Sequence, residues 1–237
     1  MSILSGLKAH VSFARAFVVG IASKWRGAPP LQVIETTNSL PFSVPSDVRG
    51  MFMDGQAYVV AAQPAHRLAQ TLTHEVIGHH GIRQVLRHRL DAFLRGVAET
   101  ARKAKTGKLR RLHDMVRRNY VDHKGRCRLP AAVIAEEMAA FEVEDLTCPA
   151  TGDLRRPRSK RRITFAKVRE MLGRPERQHR FDYHHLLAVI HAATKLVRTG
   201  VCQSARRIRS LPGAGAAKCM AAMHTKVQKQ PARNWRR

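Results

Sequence analysis

The sequence predicts an α+β, mostly helical protein with a small N-terminal sheet. Two observations carry this. Short apolar runs bounded by Pro, Gly and Asp occupy the stretch before residue 62, whereas beyond it apolar residues recur at helical spacing. Aromatic residues make up only 5% of the chain against a hydrophobic fraction of 44%, so the core is built from Ala, Val, Leu and Ile. Small side chains bury little area each, which suits a helical protein of modest stability.

Residues 1–29 carry Leu4, Leu7, Val11, Phe13, Phe17, Val18 and Ile21, the pattern of an amphipathic helix packed on the domain. Lys8, His10 and Arg15 interrupt any secretory core, whose longest uncharged stretch runs from Ala16 to Ser23. No acidic residue precedes Glu35, so a transit-like presequence is the alternative. After Pro29-Pro30, Leu31–Thr36 reads as a strand and Asn38–Asp47, with Pro41 and Pro45, as loop. Asp54-Gly55 is a hairpin-type turn ahead of a second strand over Ala57–Ala61. Leu68, Leu72 and Val76, four apart, mark a helix with one buried face. Past Gly81, the residues Ile82, Val85, Leu86, Leu90, Phe93, Leu94 and Val97 form another long stripe, ended or kinked near Gly107. A basic helix follows over Leu109–Tyr120. Pro130 then opens a helix running to about Leu146, at a position where its missing N–H costs nothing.

Thr147–Arg162 is rich in Pro, Gly and Arg and reads as an exposed linker. Phe181–Arg198 is a later helix, Leu211–Gly215 breaks the chain, and the end to Arg237 reads as flexible. The expected organisation is a helix over 1–29, a domain over 30–146, and a basic helical extension over 147–237.

Charge is the most unusual feature of the composition. Among 237 residues, 43 Lys and Arg oppose 17 Asp and Glu, a net charge of +26. Residues 147–237 hold 22 of those cations and only 4 of the acids. Such a surplus attracts polyanions, nucleic acid or anionic membrane. Within it Arg155, Arg156, Arg158, Lys160, Arg161 and Arg162 form a cluster suited to non-specific nucleic-acid contact. No segment approaches the length of a transmembrane span. Cys127, Cys148, Cys202 and Cys219 are widely spread with no C-x-x-C pair, which argues for incidental thiols in a reducing compartment.

The chemistry concentrates in Thr73-His74-Glu75-Val76-Ile77-Gly78-His79-His80-Gly81. Metal-assisted hydrolysis needs neutral imidazoles, usually with a carboxylate, an open position for water and a carboxylate to take its proton. In H-E-x-x-H the two His lie four apart on one helical face. Here the fourth position after His74 is Gly78, and the next imidazoles are His79 and His80. Five residues of regular helix advance a side chain by about 500°, roughly 140° past the first. His74 and His79 therefore converge only through a wide π-type turn, for which Gly78 is the natural place. His80 is placed worse as a ligand and better as a second-shell or substrate-facing group. A third ligand is sought in Ala135-Glu136-Glu137-Met138, an acidic pair in an apolar helix, because a buried carboxylate needs a cation or donors. Both Glu136 and Glu137 qualify, and Glu136 is preferred. The same histidines, in so basic a chain, also suit phosphate.

Residues 55–83, with His74-Glu75-x-x-Gly78-His79-x-Gly81-Ile82-Arg83, resemble the zincin-like metallopeptidase domain of polyvalent proteins carried by bacteriophages and conjugative plasmids. Ala135-Glu136-Glu137 resembles the acidic helix of that family, and the likeness spans roughly residues 30–146. The resemblance implies a zincin-like core, bound Zn2+, His74 and His79 as ligands, Glu75 as general base, and Glu136 or Glu137 as third ligand. It further implies a protein or peptide substrate and a bacterial, cytoplasmic, mobile-element protein, delivered with DNA in some cases. Asp114 and Tyr120 are weaker candidates, on location alone, for a carboxylate behind the ligands or a transition-state donor. His184, His185 and His191 read as structural or solvent-facing.

Overall fold

Leu31–Ile34 (β1), Gly50–Met53 (β2) and Gln56–Val60 (β3) form a sheet of order β1-β3-β2. The structure is a computed structural model that describes residues 3–40, 44–122, 124–155, 163–174 and 180–201. β1 runs parallel to β3 with Leu31 opposite Ala57, and β2 runs antiparallel to it with Met53 opposite Gln56. β2 is absent from the sequence expectation. All four of its residues are half-buried, so it lacks the alternation that marks a strand. The turn ahead of β3 is as expected: Asp54 (φ 51°) and Gly55 (φ 80°) are the left-handed pair that a two-residue hairpin requires.

Helix α1 (Ile3–Ala22) buries Ala14, Val18 and Ile21, spaced four and three apart, against the core. His10 ties it to the end of β3 through the Ala61 carbonyl at 3.0 Å. After the sheet, α2 (Ala65–Thr73), a π-helical stretch over His74–Gly81 and α3 (Ile82–Leu86) run as one continuous rod. The rod ends at Arg87 (φ 49°), where a 3-10 turn over Arg87–Arg89 redirects the chain into α4 (Leu90–Lys103). The apolar stripe from Ile82 to Val97 is therefore shared by two helices. Helix α5 (Lys108–Asn119) turns Leu109, Leu112 and Val116 inward. Helix α6 (Ala131–Leu146) starts one residue after Pro130 and is buried over most of its length. Helices α7 (Phe165–Leu172) and α8 (Tyr183–Thr199) complete the described chain, the latter capped by Asp182, which accepts from the His184 and His185 amides. No helix among the described residues is long and apolar enough to cross a membrane.

The linker expected from Thr147 begins instead as packed chain. Thr147 is 2% exposed, its backbone bridges Leu154, and its hydroxyl meets that of Thr73 at 2.6 Å. Val168, Leu172, Phe181, Leu186 and Ile190 share one apolar core with Leu72 and Ile77. The boundary at 146/147 thus does not separate two cores. Pro and Gly mark where a chain turns, not whether the turn is covered. The expected break at Leu211–Gly215 and the flexible tail lie outside the described residues.

The π-helical stretch lies between α6 and α8, and two glycines make room for it. A Cβ on Gly78 would stand 2.7 Å from both Cα and Cβ of Ala140 on α6. One on Gly81 would stand 3.1 Å from Ala193 and Val197 on α8. Gly78 keeps a negative φ, so its role is space, not the conformational freedom expected of it. Gly78→Ala should accordingly lower stability by about 1–3 kcal/mol, the range for overpacking a tight interior contact. Thermal or urea unfolding of that variant would show a normal midpoint if the helices can separate freely.

Candidate metal centre

The π-helical winding resolves the five-residue spacing of the histidines. Its i→i+5 pairing brings His74 and His79 onto one face, with ring centroids 5.2 Å apart at 61°. Both Nε2 atoms face Glu137 of α6. The His74 Nε2–Glu137 Oε2 and His79 Nε2–Glu137 Oε1 distances are each 3.7 Å. His74, His79 and Glu137 each offer a ligand atom, all within 4.8 Å of one another, a group able to hold a metal ion. Tetrahedral bonds of about 2.0–2.1 Å set donors roughly 3.4 Å apart, so the group would draw in slightly around an ion. Two imidazole nitrogens and one carboxylate oxygen are also the protein donors of hydrolytic metal sites.

Each imidazole is held from behind. His79 Nδ1 donates to Glu136 Oε1 at 3.1 Å, and Arg83 grips the same carboxylate, Nε to Oε1 at 2.6 Å and Nη2 to Oε2 at 3.2 Å. His74 Nδ1 faces Glu144 Oε2 at 3.4 Å, and Arg67 reaches the other Glu144 oxygen at 3.2 Å. An ionised carboxylate only accepts, so each outer carboxylate keeps a proton on Nδ1, and Nε2 is the nitrogen left to bind an ion in place of a proton. A ligating histidine is commonly oriented by such an outer carboxylate. Phe141, one turn after Glu137, packs its ring edge-on against His74, with centroids 5.2 Å apart.

Burial and neighbours tune the charges. Burial works against the His74 cation, but hydrogen bonds to Glu137 and Glu144 and the nearby Glu75 carry its pKa up to about 10. A metal binding there displaces that proton, so binding releases protons to solution. Burial opposes ionisation of Glu136 too, yet the bonds from His79 and Arg83 hold it down to about 2. Burial also works against the Glu137 and Glu144 carboxylates, and hydrogen bonds from His74 outweigh it and lower both. Glu75 goes the other way. Burial raises its pKa despite the adjacent imidazoles. Its side chain is buried beside the donors, with Oε2 3.9 Å from His79 Nε2.

His74, Glu75, His79, Glu136 and Glu137 are thus brought together, with one reassignment. Glu137, not the preferred Glu136, joins the two histidines, because Glu136 is taken by Arg83 and the far side of His79. His80 points away from the donors, its Nε2 toward the Gly27 carbonyl at 3.2 Å and its ring against Phe52. Burial lowers its pKa. Asp114 bonds Arg110 at 2.7 Å on α5 and takes no part. Tyr120 does: its hydroxyl donates to Glu137 Oε2 at 2.8 Å. Arg155 is exposed, and Arg156, Arg158, Lys160, Arg161 and Arg162 lie outside the described residues. Glu144 was missed. Its signal was the spacing: seven residues from Glu137 is about 20° short of two full turns, so both acids share one face.

Comparison with protein-family models, curated proteins and solved structures finds no match. The site is therefore read from its own geometry. In equilibrium dialysis against Zn2+ or Co2+, His74→Ala, His79→Ala and Glu137→Ala should each lose the ion. Glu136→Gln should keep the stoichiometry with affinity about 10–100-fold weaker, as for other outer-shell changes. Loss of the ion in Glu136→Gln with retention in Glu137→Ala would reverse the assignment.

Proposed function

We propose that this chain is a zinc-dependent peptidase with His74, His79 and Glu137 as metal ligands and Glu75 as general base. The observation that carries the reading is the placement of Glu75. It is a buried carboxylate with a raised pKa, on the same helical stretch as both imidazoles and beside their shared face. Zinc, when bound, supplies a Lewis acid for the scissile carbonyl and a water of lowered pKa.

The chain's own residues do the rest. Glu144 and Glu136 hold the two imidazoles in the tautomer that offers Nε2. Glu75 takes the proton of the attacking water and returns it to the leaving amine, a role suited to a carboxylate whose burial favours the protonated form. Among the described residues β2 pairs with β3 alone. At Gly50 it passes so near the base that a Cβ there would stand 3.1 Å from Glu75 Cγ. Glu75 thus packs under the face of β2, the strand to which an extended peptide would add, and this favours a protein or peptide substrate. The resemblance to polyvalent-protein zincins supports the same substrate class, and with it a cytoplasmic, mobile-element setting in bacteria.

A second reading, nucleic-acid contact with a catalytically inactive core, is favoured by the net charge of +26. Arg111, Arg117 and Arg118 stand exposed on α5, and Arg155 beyond α6. Glu75→Gln should separate the two readings. It should keep about one zinc per chain while hydrolysis of a quenched peptide library falls by about 100-fold or more, the scale of general-base catalysis. Undiminished turnover in that variant removes Glu75 from the mechanism. Wild-type protein that holds zinc and cleaves nothing, yet binds duplex DNA with steep salt dependence, favours the second reading.

A further inference from the structure

Tyr120 ends α5, outside both the π-helical stretch and α6 that carry the metal donors. Its hydroxyl nevertheless crosses to Glu137 and donates to Oε2 at 2.8 Å. The ring is half-buried, and the apolar face of α5 that delivers it (Leu109, Leu112, Val116) belongs to the core. The hydroxyl is thus presented by a packed helix end.

A Glu side chain needs such a partner if it is to be a defined ligand. Its terminal torsion is broad and roughly two-fold, so an unrestrained carboxylate turns freely about that bond. Turned one way it offers one oxygen. Turned another, both oxygens face the centre and take the direction that a hydrolytic site leaves open for water. His74 and His79 are each fixed from behind by an outer carboxylate. Tyr120 supplies the corresponding restraint for the third donor. The phenol takes one lone pair of Oε2, which also faces His74 Nε2 at 3.7 Å, and so fixes the turn of the carboxylate and leaves Oε1, facing His79 Nε2 at 3.7 Å, as its unshared oxygen.

We propose that Tyr120 is a positioning residue of the metal centre, whose hydroxyl holds Glu137 as a one-oxygen ligand and keeps one coordination position open. This rests on the metal-site reading above. It differs from a role for Tyr120 in binding substrate, because it is expressed before any substrate arrives.

The test is Tyr120→Phe, which removes the hydroxyl and leaves the packed ring. Zn2+ affinity is measured by competition with a chromophoric chelator, beside thermal unfolding of the metal-free proteins. The variant should still bind about one zinc per chain, with affinity about 10–100-fold weaker than wild type. Its metal-free unfolding midpoint should fall only modestly, by the loss of one hydrogen bond to a carboxylate, so the zinc affinity is the deciding readout. Loaded with Co2+, the variant should absorb more weakly in the visible, as the freed carboxylate takes a second position and coordination rises above four. Unchanged affinity and an unchanged Co2+ spectrum in Tyr120→Phe, against a wild type that binds, would overturn this role alone. So would a lowered metal-free midpoint with unchanged affinity, which marks the bond as merely structural. Wild-type protein that binds neither ion would overturn the metal-site reading and this inference with it.

Discussion

The candidate site depends on how closely the π-helical stretch His74–Gly81 lies against α6. All three candidate metal donors stand on these two elements, and Gly78 lies so close against Ala140 that a Cβ there would stand 2.7 Å from it. Metal–ligand distances are held to within about 0.2 Å in working sites, so two helices that share an ion have little freedom to part. The small residues at this contact are therefore as much a part of the site as the donors. On the other side Gly81 lets α8 close over the same stretch, which explains why helices beyond residue 147 share the core of the site-bearing domain.

Close packing collects charge as well as donors. Glu75, Glu136, Glu137 and Glu144 are gathered around two imidazoles, an arrangement costly in a poorly hydrated interior unless cations answer it. Arg83 answers Glu136 and Arg67 answers Glu144. His74 answers Glu137, and Glu75, whose pKa burial raises, lies 3.9 Å from His79 Nε2. A metal ion held there would take over the balance that the His74 proton supplies. The arginines of this basic chain fall into two groups: a few, such as Arg67 and Arg83, that reach site carboxylates from partly exposed positions, and many, such as Arg117 and Arg118, that face solvent.

Much of the site was legible because its signals are local. The His74-Glu75 pair, the five-residue gap to His79 and the need for a widened turn all follow from helical geometry within one short segment. The acidic pair on α6 was legible as well, being anomalous in an apolar helix. The choice between Glu136 and Glu137 was not. Adjacent residues differ by about 100° around a helix, and which of them faces His74 depends on the rotation of α6 against its neighbour. Tyr120 was visible only as a residue near the end of a basic helix, and β2 was hidden by its uniform half-burial.

The sequence by itself determined the helical fold with its small sheet, the segment that carries the chemistry, and the distortion that segment must adopt. Those are consequences of periodicity, spacing and the stereochemistry of a few neighbouring residues. Only the tertiary structure decided that Glu137 joins His74 and His79 in a group able to hold a metal ion, that Glu136 and Glu144 stand behind the imidazoles, and that the Tyr120 hydroxyl reaches Glu137. It likewise decided that the chain beyond residue 147 closes the same core. Each of these is a contact between elements far apart in sequence. Its geometry is set by how closely two surfaces approach, as at Gly78 and Ala140, and no pattern within either element records that distance.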